Sequence, residues 1–198
     1  STSTDIANKE AADIFFWSDY LGRDYPLKAF QYAKAADPTA KLFINEFGLE
    51  ASAKKTDSLV AFVKELRAKG AKIDGIGTQL HASWNSNYTL IDSMFIKLAA
   101  TGLLIRISEL DVRVNPQNKA GFQFTSVEEL NQAAMYKHIL KSYLKYVPKS
   151  QQAGITIWGL TDDRSWLYNN GMDFPLLFHS NFSKKKAYSA VIQALKEL

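Results

Sequence analysis

"LLIRISELDVRV", Leu103 to Val114, begins as the inside of a protein and ends in carboxylates. Leu103, Leu104, Ile105 and Ile107 read as a buried strand, yet Glu109 and Asp111 follow at once. Side chains alternate along a strand, so Glu109 and Asp111 point the same way. Two readings compete. Either the carboxylates do chemistry at the strand's C-terminal end, or they solvate that end and pair with Arg106 and Arg113.

Outward from this strand, the same unit repeats. "KLFIN" (Lys41 to Asn45) is a short apolar strand, and Leu59, Phe62, Val63 and Leu66 follow at helical spacing with Gly70 as a stop. "IDGIGTQLH" (Ile73 to His81) is a second strand, and Ile91, Met94, Phe95 and Leu98 mark a helix ended near Gly102. After the Leu103 strand, a helix starts at Ser126, where Ser-Val-Glu-Glu fits a capping box with Glu129. Its apolar stripe is Ala133, Tyr136, Leu140, Tyr143 and Val147. "GITIWG" (Gly154 to Gly159) is a fourth strand, and Ala187, Val191, Leu195 and Leu198 line a last helix. Upstream, Leu27, Phe30 and Ala33 predict one more helix, ended before Pro38.

Near-continuous apolar strands separated by helices imply a parallel sheet covered by helices. A doubly wound sheet and a (β/α)8 barrel both fit. No Gly-rich phosphate loop follows any strand, which counts against a nucleotide-binding sheet. Every strand ends in polar or aromatic residues: Asn45, then Gln79 and His81, then Glu109 and Asp111, then Trp158. Barrel active sites are built at that end. Four strands cannot close an eight-stranded barrel, so residues 1–198 read as one domain supplying the second half of a larger α/β fold.

Composition narrows the function. Acidic and basic residues nearly balance, for a net charge of +4, and the densest basic run, Lys184 to Lys186, reads as a solvated helix start rather than a nucleic-acid patch. No apolar run approaches the roughly 20 residues of a membrane span. There is no cysteine, and the three histidines lack metal-ligand spacing, so neither a disulfide framework nor a metal is expected. His138 and His179 read as structural or surface residues. Four tryptophans and nine tyrosines can supply flat stacking surfaces for a sugar. Neighbouring parallel strands lie about 4.8 Å apart, which lets the His81 imidazole reach the carboxylates of the next strand, orient one and tune its charge. Trp158 and Trp166, flanking a polar loop, would wall the cleft.

"GIGTQLH", "ISELDV" and "ITIWGLTDDRSW" resemble, in order, signatures of glycoside hydrolase family 10, the retaining endo-β-1,4-xylanases, and "ADPTAKLFINEFGLE" resembles the segment around that family's fifth strand. The likeness runs from about Tyr25 to the C-terminus. It implies a (β/α)8 TIM barrel, with this chain supplying the last four units, and xylan or xylo-oligosaccharides as substrate without a cofactor. By resemblance, Glu109 is similar to the catalytic nucleophile, and His81 and Asp111 to the pair that tunes it. Gln79, Trp158 and Trp166 match residues around the sugar at the cleavage point, and Asn45 a polar strand-end position. An extracellular, cell-surface or periplasmic location is implied too.

Two departures stand out. The family's Asn-Asp-Tyr-Asn is Asn45-Glu46-Phe47-Gly48 here. The family's acid/base glutamate lies at the end of the fourth strand, and Glu10, Glu46 and Glu50 do not sit in a matching motif. The expectation is therefore a nicked or split xylanase whose partner polypeptide carries the N-terminal half of the barrel. Without that half, Ile76, Ile105 and Ile155 are expected to lack cover. The competing function is a non-catalytic β-glycan-binding module on a decayed barrel. A free-standing half-barrel with only an interaction role would expose its sheet edge and core.

Overall fold

Residues 16–197 are described by a computed structural model, so Glu10 and Leu198 lie outside the described residues. The helices form where the apolar stripes place them. α1 (Phe16–Leu21) and α2 (Tyr25–Ala36) precede β1 (Phe43–Glu46). α3 (Ala53–Ala68) opens with Ser52, whose hydroxyl accepts from the Lys55 N–H. It closes at Gly70, held at φ +95°, which lets the Ala71 N–H turn back to the Leu66 carbonyl. β2 (Gly75–Thr78) and β3 (His81–Ser83) lead to α4 (Tyr88–Ala99), and β4 (Leu104–Arg113) to α5 (Ser126–Tyr146). β5 (Gln152–Ile157) and α6 (Lys186–Lys196) complete the order.

Three sequence expectations need correction. The N-cap of α5 is Thr125, one residue earlier than expected, and the Glu128 side chain, not that of Glu129, returns to it. Glu129 instead accepts from the backbone N–H of Lys186, tying α5 to the start of α6. On α6 the buried stripe is Ala187, Val191 and Ala194, while Leu195 is 43% exposed, because the contact with α5 lies one position earlier. The third correction concerns Lys185, which is no solvated residue at 1% exposure. Its ammonium lies 3.1 Å from Asp162 and donates to the Phe174 carbonyl.

All strand pairings are parallel, in the order β1-β2-β4, with β3 and β5 also pairing with β4. β2 and β3 are one predicted strand interrupted at Gln79 and Leu80. Ile44, Ile76 and Ile105 stand in register on one face of the sheet, buried together with Ile107 in the same core as the stripes of α3, α4 and α5. Ile76 and Ile105 are therefore covered by this chain's own helices, contrary to expectation, and Ile155 is partly buried against the same core. The opposite face is mixed: half-buried Phe43 and Leu104 flank Gly75, and Asn45, Gly77, Arg106 and Ser108 follow toward the strands' C-terminal ends. A methyl group at Gly75 would lie 2.1 Å from the Phe43 ring, and one at Gly77 2.3 Å from Asn45 Oδ1. Those two glycines leave room for side chains crossing from β1.

Candidate active site

The site begins with an irregularity in β4. From Thr78 to His81 the neighbouring strand advances three residues, while β4 advances four, from Ile107 to Asp111. The pairing with β5 shifts over the same stretch, where Ile107 to Leu110 on β4 faces only Ile155 to Ile157. An extra residue in one strand is a bulge, which re-aims the side chains beside it. Here it sends two consecutive residues to one partner. The Ser108 hydroxyl donates to Asn45 Oδ1 at 2.7 Å, and Asn45 Nδ2 donates to Glu109 Oε1 at 3.2 Å.

The other oxygen of Glu109 faces His81, with Nε2 3.6 Å from Oε2. On the far side of the ring, Nδ1 is 3.0 Å from Asp111 Oδ2, although its N–H direction falls outside good hydrogen-bond geometry. Asp111 is fully buried, and Oδ2 also accepts from the indole N–H of Trp166 at 2.9 Å. The Trp166 ring meets the His81 ring edge-on at 5.2 Å, yet the residue is 63% exposed. Burial disfavours the charged imidazole, but Asp111, Glu109 and Glu50 outweigh it and hold the His81 pKa above its ordinary value.

The bland pairing of the carboxylates does not occur. Arg106 donates to Thr156 and the Ala153 carbonyl, and Arg113 to Asp173 and Asn118. Glu109 is thus held by an amide and an imidazole rather than neutralised by a guanidinium. Gln79 works through its backbone: its N–H donates to the Glu46 carbonyl and its own carbonyl accepts from the Glu109 N–H. Leu80 follows in the left-handed region at φ +62°, so the alternation that would put Gln79 and His81 on one face breaks between them. Trp158 is exposed just past β5, its backbone N–H donating to the Leu110 carbonyl. The loop carrying Trp166 is fastened from below by Asp162, which accepts from the Leu176 N–H and Lys185, and by Asp173, which accepts from the Val114 and Asn115 N–H groups.

His138 lies outside this cluster. It stacks on Tyr88 at 3.8 Å and lies 2.9 Å from Asp92, joining α5 to α4. Among the described residues no group of histidines and carboxylates could hold a metal ion. No helix of the described residues is long and apolar enough to cross a membrane.

Sequence reasoning missed Ser108 because regular alternation would turn it away from Glu109, and no local signal announces the bulge. It passed over Glu50 after failing to match it to an acid/base motif. The substituted segment after β1 is self-consistent. Buried Glu46 lies 3.2 Å from the Lys55 ammonium, which also sits 3.7 Å above the Phe47 ring. Gly48 adopts φ +68°, a conformation that glycine and asparagine enter most readily, so the backbone survives the exchange of one for the other.

The chain that carries this strand-end carboxylate has close parallels in sequence and fold among known proteins. The profile of Glycosyl hydrolase family 10 matches residues 5–194, extending past Tyr25 toward the N-terminus. Endo-1,4-beta-xylanase A of Cellvibrio japonicus is 38% identical, with 91% of this chain and 32% of that protein covered. Endo-1,4-beta-xylanase A of Thermoanaerobacterium saccharolyticum is 36% identical, with coverages of 92% and 15%. Among solved structures, a thermostable mutant of a xylanase from Cellvibrio japonicus is 37% identical and superposes with a TM-score of 0.83, over 91% of this chain and 56% of that one. A mutant of P. fluorescens subsp. cellulosa xylanase A in complex with xylopentaose is 36% identical, with the same TM-score and coverages. The chain thus spans about a third or less of the curated relatives named and just over half of the solved chains. With its parallel sheet, covering helices and strand-end site, this chain belongs to glycosyl hydrolase family 10, and its fold is part of that family's (β/α)8 barrel.

Proposed function

We propose that this chain forms the nucleophile-bearing part of a retaining endo-1,4-β-xylanase, with Glu109 attacking the anomeric carbon of an internal xylose. The observation that carries the reading is the setting of Glu109: one oxygen takes the Asn45 amide, the other faces His81, and both nearby arginines are engaged elsewhere. Such a carboxylate is oriented without being quenched by a cation, as a nucleophile must be. The exposed indoles of Trp158 and Trp166 offer the flat walls a pyranose ring stacks on.

Retention needs a second carboxyl about 5–5.5 Å away to protonate the leaving oxygen and later activate water. Glu46 is buried against Lys55 and Glu50 is buried as well, so neither is open to a glycosidic oxygen. The acid/base carboxyl comes, in this reading, from a polypeptide segment outside this sequence that completes the barrel. Action outside the cytoplasm, where polymeric xylan is met, belongs to the same reading.

Proton NMR of the first product released from xylan tests the mechanism: the β-anomer should appear first, and an initial α-anomer would refute it. A β-glycan-binding module would use the same indoles, but binding alone does not call for a carboxylate clamped between an amide and an imidazole.

A further inference from the structure

We infer that Glu50 is a positioning residue of this site, a buried acid that sets the charge of His81 and, through it, the state of the Glu109 carboxylate. Only the last link, to Glu109 as nucleophile, rests on the hydrolase reading. Glu50 stands in the turn after β1 and is 5% exposed. Its Oε2 is buried without a hydrogen-bond partner, and so are His81 Nδ1 and Asp111 Oδ1. Buried polar atoms are nearly always paired, so three such atoms on residues that act on one another call for a reason.

The charges around them supply it. Glu50 feels His81 from β3, Lys55 from α3 and Asp111 from β4. His81 feels Asp111, Glu109 and Glu50. Asp111 also faces the Tyr136 hydroxyl from α5 and accepts from Trp166. Glu109 and Asp111 thus flank the imidazole, buried Glu50 acts on it as a third carboxyl, and Lys55 is shared with Glu46. Ionising all three at once is costly, and the acid with the weakest pairing keeps its proton. Asp111 has Trp166 and His81, and Glu109 has Asn45 and His81. Glu50, with only its own backbone N–H besides, is left as the proton holder: burial pushes its pKa up to about 7, partly offset by that N–H and then by His81 and Lys55. Ionised Glu50 favours the imidazolium form of His81. Neutral Glu50 leaves that form to Asp111 and Glu109 alone.

The test is an NMR titration of the Glu50 carboxyl carbon and the His81 ring nitrogens in the wild type and in Glu50→Gln, which mimics neutral Glu50. The His81 midpoint should fall in the variant by about half a pH unit or more. Equal midpoints would overturn the inference. Should the variant not fold, the wild-type Glu50 carboxyl decides: a midpoint near neutrality supports the proposal, and one near 4.5 overturns it. In hydrolysis, the kcat of Glu50→Gln should match the wild type below about pH 6 and fall behind above neutrality, with KM unchanged. A ratio constant across pH would mark Glu50 as merely structural and overturn the proposal. The NMR readouts need no substrate, so absence of xylan hydrolysis by the completed barrel would count against the proposed function while leaving the Glu50–His81 coupling measurable.

Discussion

Gly77→Ala probes the site without touching any group that could react. A Cβ at residue 77 would stand 2.3 Å from Asn45 Oδ1, 3.1 Å from its Cγ and 3.4 Å from its Cβ. Restoring van der Waals separation needs a displacement of about 1 Å. The strand backbone carries ladder hydrogen bonds on both sides, so the Asn45 amide is what moves. It is held by the Ser108 hydroxyl at 2.7 Å and itself holds Glu109 at 3.2 Å. Overpacking of this kind costs about 1–3 kcal/mol. A hydrogen bond to a charged group is worth about 1.5–3 kcal/mol, so releasing Glu109 adds to the loss. A reacting group misplaced by about 1 Å can lose on the order of 100-fold in rate.

The double-mutant cycle with Asn45→Ala makes this decisive. Alanine at 45 removes the amide and leaves only the Cβ at 3.4 Å, an ordinary contact. In that background Gly77→Ala should cost almost nothing further in urea unfolding or in kcat on xylan, whereas in the wild-type background it should cost both. Strong non-additivity is the signature of a shared contact. Additive losses, or a Gly77→Ala variant with wild-type stability and kcat, would refute the claim that Gly77 exists to seat Asn45 against Glu109.

Glu109→Gln should lower xylan hydrolysis by several orders of magnitude with oligosaccharide binding largely kept, and near-normal turnover would remove Glu109 from the chemistry. Lys185→Met leaves buried Asp162 without its cation, so urea unfolding should register a loss of about 3–5 kcal/mol, much of it recovered when Asp162→Asn is added. Thr125→Ala deletes the α5 cap and should cost about 1 kcal/mol in the same assay. Glu50 has a folded-state pKa raised from 4.5 to about 7, so its stabilising protonation is complete below pH 4.5 and is lost as pH rises through about 7. That loss is on the order of 3 kcal/mol. His81, raised from 6.5, contributes in the same direction, fully below pH 6.5 and lost at higher pH. Glu50→Gln should therefore flatten the fall in unfolding free energy between about pH 4.5 and about pH 8.5, and a slope equal to that of the wild type would contradict the assignment.

The parts of the fold that were legible in the sequence are those with a period. Leu59, Phe62, Val63 and Leu66 recur at helical spacing and are all buried, as are Tyr136, Leu140, Tyr143 and Val147. Which face of the sheet they cover was not legible. Strands buried on both sides read as continuous apolar runs, and nothing in "GIGT" announces that its two glycines leave room for Phe43 and Asn45 from β1. Helix ends were read to within a residue where a glycine or a cap marks them. The α5 cap slipped by one to Thr125 and the α6 stripe by one to Ala194, because two adjacent hydroxyls, or two adjacent apolar residues, satisfy the same pattern.

The candidate site was legible as residue types at strand ends and illegible as geometry. Strict alternation puts Glu109 and Asp111 on one face, yet alternation fails on both strands that build the cluster, at the β4 bulge and at left-handed Leu80. These two irregularities matter to each other. The bulge adds one residue to β4, turning Ser108 and Glu109 together toward Asn45. The kink at Leu80 restarts the neighbouring strand so that His81 pairs with Asp111 rather than with the residue regular register would give it, Leu110. With neither irregularity, Leu110 would sit opposite His81, and the imidazole would lose the register that brings Nδ1 to Asp111. A non-glycine residue at positive φ and a strand with an extra residue each cost stability on their own, and such strain persists where the surroundings hold it. Here Leu80 is fully buried, and the Gln79 carbonyl beside it accepts from the Glu109 N–H, so the two distortions are fastened to one another at the carboxylate they present.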